Sequence, residues 1–290
     1  MRAHEAGALH AESEEGGRLR HSGPVWLRPP QDVNALVPAL WARSVRRGDD
    51  GALTVGGLDV REVAREFDTP AYVIDEDDFR SRAREFRAAF DEVFQDLCGG
   101  ADVYYAGKAF LCTAVARWIL QEGLGLDVCS GGELAVAIRA DFPGDRIGFH
   151  GNNKSVAEIE AALRYGVGRI VVDSFEEIGR VAATARRLGL IAPVMVRVTV
   201  GVEAHTHEYI ATAHEDQKFG FSLAGGEAAE AVRRVLEQPA YLSLLGLHSH
   251  IGSQIFDTSG FEVATRRVLG LHLDVAREHG IRLAELDLGG

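Results

Sequence analysis

Val103-Tyr104-Tyr105-Ala106, Gly125-Leu126-Asp127-Val128, Arg146-Ile147-Gly148-Phe149 and Ile170-Val171-Val172 are short apolar runs that recur about every 22 to 24 residues, with helix-periodic segments between them. Strands that alternate with helices build a parallel sheet, because each parallel neighbour needs a crossover. The repeat is tighter than in most open doubly wound sheets and suits a compact (β/α) unit, so a TIM-type barrel is predicted over a Rossmann sheet. Downstream, strands are predicted at 194–198, 244–248 and 285–288, and helices at 76–95, 111–121, 132–140, 156–165, 175–188, 226–237 and 261–278. The count is seven barrel strands where a closed barrel has eight, so the expected fold class is α/β, an incomplete (β/α)8 barrel cut before its eighth strand.

Upstream, 1–24 is rich in Glu, Gly, Arg and His and has no apolar core segment, which excludes a secretory signal and predicts a disordered polar tail. Residues 25–47 read as an irregular or short helical lead-in, Gly48-Asp49-Asp50-Gly51 as a turn, 52–60 as a hairpin around Gly56-Gly57, and 61–67 as a short helix. Ala71-Tyr72-Val73-Ile74, after Pro70, reads as a strand.

With 46% apolar and 26% charged residues in 290, the chain can bury a barrel-sized core. Its net charge of -12 leaves no basic stripe, which argues against nucleic acid and anionic lipid and for a small-molecule partner. No apolar run is long enough to span a bilayer. Cys98, Cys112 and Cys129 lack the paired short spacing of a zinc or redox motif, which predicts reduced thiols and a cytoplasmic protein.

In a parallel barrel the reactive groups stand at the carboxyl ends of the strands. There this sequence places Lys108, Asp127, His150 with Asn152 and Asn153, Asp173, Arg197, His248 with His250, and Gly289-Gly290. A lysine leaving the apolar strand at Gly107 points into the barrel top, where desolvation would lower the amine's pKa and suit it to a Schiff base; a solvent-directed lysine is the alternative. Asp127 and Cys129 share a strand face, so the carboxylate could pair with Lys108, organise water or cap a loop, while Ser130 could cap the next helix. His248 and His250 also share a face; they could stack on a ring, hold a metal or be core histidines, and Ser253 follows with a hydroxyl. Gly289-Gly290 would admit a phosphate to the backbone or simply end a strand. His205, His207 and His214 lie in a long segment read as a loop over the barrel mouth.

Taken together, Tyr105-Ala106-Gly107-Lys108-Ala109-Phe110, the stretch Leu126 to Leu134 (Leu-Asp-Val-Cys-Ser-Gly-Gly-Glu-Leu), His150-Gly151-Asn152-Asn153-Lys154-Ser155, Gly201 to His207 through Lys218-Phe219-Gly220, His248 to Gln254, and Asp287-Leu288-Gly289-Gly290 fall in one order. That order resembles the diaminopimelate decarboxylase family of fold-type III pyridoxal-phosphate enzymes, with its alanine racemase-like barrel, over roughly Leu40 to Gly290. The resemblance implies pyridoxal 5'-phosphate carried by Lys108 as a Schiff base, with His250 against its ring and Ser253, Gly289 and Gly290 on its phosphate. It implies that Asp127, Glu133 and Arg197 shape the pocket, with His150, Asn152 and His207 near the substrate. The implied reaction is decarboxylation of meso-diaminopimelate to L-lysine, the last step of lysine biosynthesis, in a homodimer.

The same resemblance divides the chain into a tail and lead-in (1–35), a segment that would join a C-terminal β domain (36–75) and the barrel (76–290). The family's later portion, which supplies the acidic partner of the pyridinium nitrogen and substrate-carboxylate arginines, has no counterpart here. Three alternatives remain open: another basic amino-acid decarboxylase (ornithine or arginine) or a racemase of the same fold; a metal-dependent hydrolase barrel; and an inactive or regulatory homologue that only binds the cofactor or a partner subunit.

Overall fold

The structure is a computed structural model that describes residues 32, 34–38, 40–201, 219–253 and 258–289. The predicted tail, the loop histidines His205, His207 and His214, and the residues Gln254 and Gly290 lie outside the described residues. The chain divides into two compact units, Met1–Phe79 and Arg80–Gly290.

In the first unit, β1 (Arg46–Arg47), β2 (Leu53–Val55) and β3 (Leu58–Asp59) form an antiparallel meander. Gly56 and Gly57 turn the predicted hairpin with φ of 59° and 83°. Two positive φ values in succession give the turn whose twist matches its strands, and glycine adopts them without a Cβ clash. The 48–51 turn joins β1 to β2, although Arg46-Arg47 carries no strand pattern of its own. Helix α1 (Val60–Phe67) starts where Asp59 accepts the N–H of Arg61 at 2.8 Å. The strand predicted at 71–74 does not form: the segment is irregular, and Tyr72, Val73 and Ile74 are exposed. Its β-branched and aromatic residues have no ladder partner among the described residues, and β-propensity counts only against a neighbour.

The second unit carries β4 (Tyr104–Ala106), β5 (Gly125–Val128), β6 (Ile147–Phe149), β7 (Arg169–Val172), β8 (Ala192–Thr199), β9 (Phe221–Ser222), β10 (Leu242–His248) and β11 (Glu285–Asp287). The helices are α2 (Glu76–Cys98), α3 (Thr113–Gln121), α4 (Gly131–Arg139), α5 (Val156–Tyr165), α6 (Phe175–Leu188), α7 (Glu227–Leu236) and α8 (Ser259–His279). Seven parallel strands lie in the order β4-β5-β6-β7-β8-β10-β11, as the periodicity predicts, and the unpredicted β9 adds to the end of β8. Helix ends follow local chemistry: Ser155 and Glu158 form a reciprocal capping box on α5, and Gly166, at φ 78°, closes it.

Outward-facing Leu126, Val128, Ile147, Phe149, Ile170, Val172, Val194 and Val196 are buried, as are helix residues such as Ile119, Leu134, Ile159, Ile178 and Val232. The alternate positions, which face the barrel axis, carry the polar residues Tyr104, Asp127, Arg169, Arg197, His248 and Glu285. Arg169, on the central strand, shows how far the sheet curls. Its Nε and Nη2 grip Glu285 on the edge strand β11 at 2.6 and 2.9 Å, and its guanidinium lies 5.6 Å from the ring of Tyr104 on the opposite edge, β4. In a flat sheet three strand spacings amount to about 14 Å, beyond the reach of one side chain to both edges. Replacing Arg169 with Met leaves Glu285 without its fork and is expected to cost ~2 kcal/mol. Amide exchange along β11 is then expected to quicken more than along β6, and uniform exchange would contradict this tie.

Candidate active site

The carboxyl ends of the strands meet at one mouth. Gly107, whose N–H donates to Asp127 O at 2.8 Å, brings the chain out of β4, and Lys108 follows it as an exposed residue. The lysine thus stands exposed at the mouth and not in the desolvated interior that the apolar strand predicts. Its positive charge still acts on His250, His248 and Cys129.

Asp127 takes His150 as its partner, Oδ1 to Nε2 at 3.1 Å. Gly148 makes the room: a Cβ there would stand 2.6 Å from that same oxygen. Glu133 turns back from the first turn of α4, and its Oε2 accepts the N–H of Cys129 at 2.6 Å. Burial, with Glu133 adding to it, holds the Cys129 thiol above its ordinary range. Arg197 is buried, with Nε 3.6 Å from Asp173 Oδ1 and its guanidinium 4.8 Å from the ring centre of Phe219. Burial lowers its pKa from the usual arginine value.

His248 is buried edge-on to His150, with ring centres 5.0 Å apart. Burial first, and the neighbouring His150 next, push its pKa well below the ordinary range. His250 is pushed down to about 3, by burial and then by the Lys108 charge, so both imidazoles are neutral at pH 7. Beside them Asp287, aligned with His248 in the β10–β11 ladder, is pushed up by burial and by Asp127. Asp287 Oδ1 accepts the N–H of Gly289 at 2.9 Å. Gly289 has φ 58°, and a Cβ on it would lie 2.7 Å from His250 Nδ1, so only glycine fits. Ser253 is half-buried after β10, and Asn152 is exposed after β6. His207 and Gly290 lie outside the described residues.

The neutral state of His250 has a measurable consequence for the cofactor-free chain. The unfolded state takes up a proton below about 6.5 while the native state does not until about 3, so this group makes stability fall as pH drops through that window. Its share of the slope approaches ~1.4 kcal/mol per pH unit. His248 acts in the same direction, and Asp287, with its raised pKa, in the opposite one. His250→Phe is therefore expected to flatten the fall in urea-unfolding stability between pH 6.5 and 5; an unchanged slope would contradict a buried neutral His250.

The mouth also holds residues to which the sequence reading gave no role. Lys154 and Glu177 form a buried pair at 2.9 Å, and Asp287 joins the Asp127 and His150 group. A signal was present: Ser130, Ser155 and Ser174 are each followed three residues on by glutamate, the capping pattern of a helix start.

Three buried polar atoms at the mouth, Asp173 Oδ1, His248 Nδ1 and Ser249 Oγ, have no hydrogen-bond partner among the described residues. Such atoms are costly unless something else satisfies them. With a primary amine at the rim and a neutral imidazole available to lie against a flat ring, the mouth fits an aromatic cofactor with polar substituents. Among the described residues no three His, Cys, Asp or Glu side chains stand together as metal ligands.

A curled parallel barrel with an amine, neutral imidazoles and an arginine at its mouth defines the class of barrel enzymes that work through an organic cofactor. The family model described as "Pyridoxal-dependent decarboxylase, pyridoxal binding domain" matches residues 76–290. The chain belongs to this family. A diaminopimelate decarboxylase of Mycobacterium leprae is 53% identical over 295 aligned residues, covering 100% of this chain and 60% of the relative. One from Mycobacterium tuberculosis is 57% identical over 259 residues, covering 88% of this chain and 56% of the relative. The crystal structure of diaminopimelate decarboxylase from M. jannaschii in co-complex with L-lysine superposes with a TM-score of 0.77 at 33% identity, covering 86% of this chain and 57% of that one. This chain therefore spans between half and two thirds of the length of these relatives. No helix among the described residues is long and apolar enough to cross a membrane.

Proposed function

We propose that the chain is the pyridoxal-phosphate-binding part of a diaminopimelate decarboxylase, acting on meso-diaminopimelate to release CO2 and L-lysine. The observation that carries the reading is the gathering of Lys108, His250, Arg197 and Gly289 at one barrel mouth in a chain 53% and 57% identical to proteins of that name. Bound pyridoxal phosphate supplies an electron sink for the electron pair left on carbon when CO2 departs.

This chain's residues supply the rest. Lys108 is the covalent attachment point, placed at the rim where a carbonyl compound can reach its amine. His250, a neutral imidazole, would stand beside the ring and add no positive charge near its nitrogen. Ser253, Gly289 and Gly290 would hold the phosphate; the Gly289 N–H donates to Asp287 Oδ1. Asp127 fixes His150 through their hydrogen bond, and His150, Asn152 and His207 would serve the substrate. Glu133 holds the turn that carries Cys129, and Arg197 brings the buried positive charge. Two copies form a homodimer in this reading.

The test is CO2 release from meso-diaminopimelate by the purified chain with added pyridoxal phosphate, compared with ornithine and arginine. Release from diaminopimelate alone is expected. Release from ornithine or arginine instead would move the assignment to another basic amino-acid decarboxylase; cofactor binding without CO2 from any of them would favour the binding-only homologue. Sedimentation of the same sample checks the dimer.

A further inference from the structure

Three consecutive strand-to-helix junctions at the mouth share one construction. Ser130, Ser155 and Ser174 cap α4, α5 and α6, each accepting the N–H of the glutamate three residues on, at 3.3, 3.2 and 3.2 Å. Those glutamates turn back to backbone N–H groups: Glu133 to Cys129 at 2.6 Å, Glu158 to Ser155 at 2.8 Å, and Glu177 to Asp173 at 2.7 Å. Two of the three also reach sideways. Glu158 Oε1 accepts the N–H of Gly131 at 2.7 Å, joining the start of α5 to that of α4. Glu177 Oε1 accepts from Lys154 Nζ at 2.9 Å, joining the start of α6 to the loop that carries His150 and Asn152.

Lys154 is the link between the two halves of this belt. Its remaining donors go to Gly151 O at 2.6 Å and Val171 O at 2.7 Å, so all its protons are used. Arg180 Nη1 holds its carbonyl at 2.6 Å. The Lys154 and Glu177 side chains are only 1% and 2% exposed. A buried ion pair is a poor device for stability alone, since an apolar pair of similar volume does as well; what it adds is geometry. Here that geometry ends at Asp173, whose carboxylate faces Arg197.

We infer that Lys154 is a positioning residue: through Gly151 and Glu177 it sets the loop at 151–153 against Asp173, and through Asp173 it sets Arg197 in the mouth. The structural part stands on the hydrogen bonds alone, whereas its effect on the cofactor rests on the proposed function.

The test uses Lys154→Met/Glu177→Gln, which strands no buried charge and keeps an acceptor for the Asp173 N–H, so that the fold survives. Amide exchange is measured without cofactor, and pyridoxal-phosphate affinity with the pH profile of its bound absorbance is measured with it. We expect faster exchange at 151–153 with helix α8 unchanged, an affinity loss of roughly 10- to 100-fold, and a displaced pH profile. Wild-type affinity and pH profile in the double variant would overturn the positioning role even if stability changed, as would unchanged exchange at 151–153. If the unsubstituted chain itself fails to take up pyridoxal phosphate, the proposed function fails, and the exchange measurement alone decides whether Lys154 sets the loop.

Discussion

Lys154→Met lowers the stability of the chain by about 3–5 kcal/mol, a large part of the ~5–15 kcal/mol that holds an ordinary domain together. Methionine fills the space but leaves Glu177 a buried carboxylate without its counter-charge and takes the lysine's protons from Gly151 O and Val171 O. Burial already pushes Glu177 up from its ordinary pKa against the pull of Lys154, and burial pushes Lys154 down. Without the lysine, Glu177 holds its proton to higher pH, so the deficit is expected to shrink as pH falls and the stranded charge is neutralised. Urea unfolding of the variant at pH 7.5 and 5.5 checks both points. A deficit below ~1 kcal/mol, the range of exposed ion pairs, would mean that the pair is solvated.

Gly246→Ala detaches the last strand. Gly246 faces Glu285 in the β10–β11 ladder, and a Cβ on it would collide with the Glu285 carbonyl oxygen, which is backbone and cannot swing aside. Among the described residues strand β11 pairs on one side only, so the clash is relieved by loss of the ladder rather than by a small adjustment. The expected cost is ~3 kcal/mol, at the upper end of ordinary overpacking. Asp287 and Gly289 leave the mouth with the strand, so pyridoxal-phosphate uptake should fall as well. Hydrogen exchange across 285–289 reads the detachment directly, and native protection there would contradict it.

Much of this architecture is legible in the sequence because a parallel barrel repeats one physical unit. The runs at Gly125–Val128 and Arg169–Val172 show their strands through apolar continuity and their spacing through the helices between. The 71–74 segment misleads for the complementary reason: it has the composition of a strand and nothing to pair with. β9 and β1 are too short to carry a period. At the mouth, the strand ends locate Lys108, Asp127, His150, Arg197 and His250, because parity along a strand decides which side chains face inward. Pairing is harder to read. Asp127 selects His150 through the space left by Gly148, and Lys154 selects Glu177 across two junctions; both depend on neighbours 23 residues apart in each case. The repeated Ser-x-x-Glu pattern marks the helix starts but not the sideways reach of the glutamates.

In the proposed function, Lys108 carries pyridoxal phosphate in this mouth. The most direct measurement is to add pyridoxal phosphate to the purified chain, reduce with borohydride and map the modified peptide by mass, with Lys108→Ala alongside. A reduced adduct is expected on Lys108 in the unsubstituted chain and none at any one site in the variant; a folded chain that shows no adduct, or the same adduct after Lys108 is removed, would contradict the proposed function.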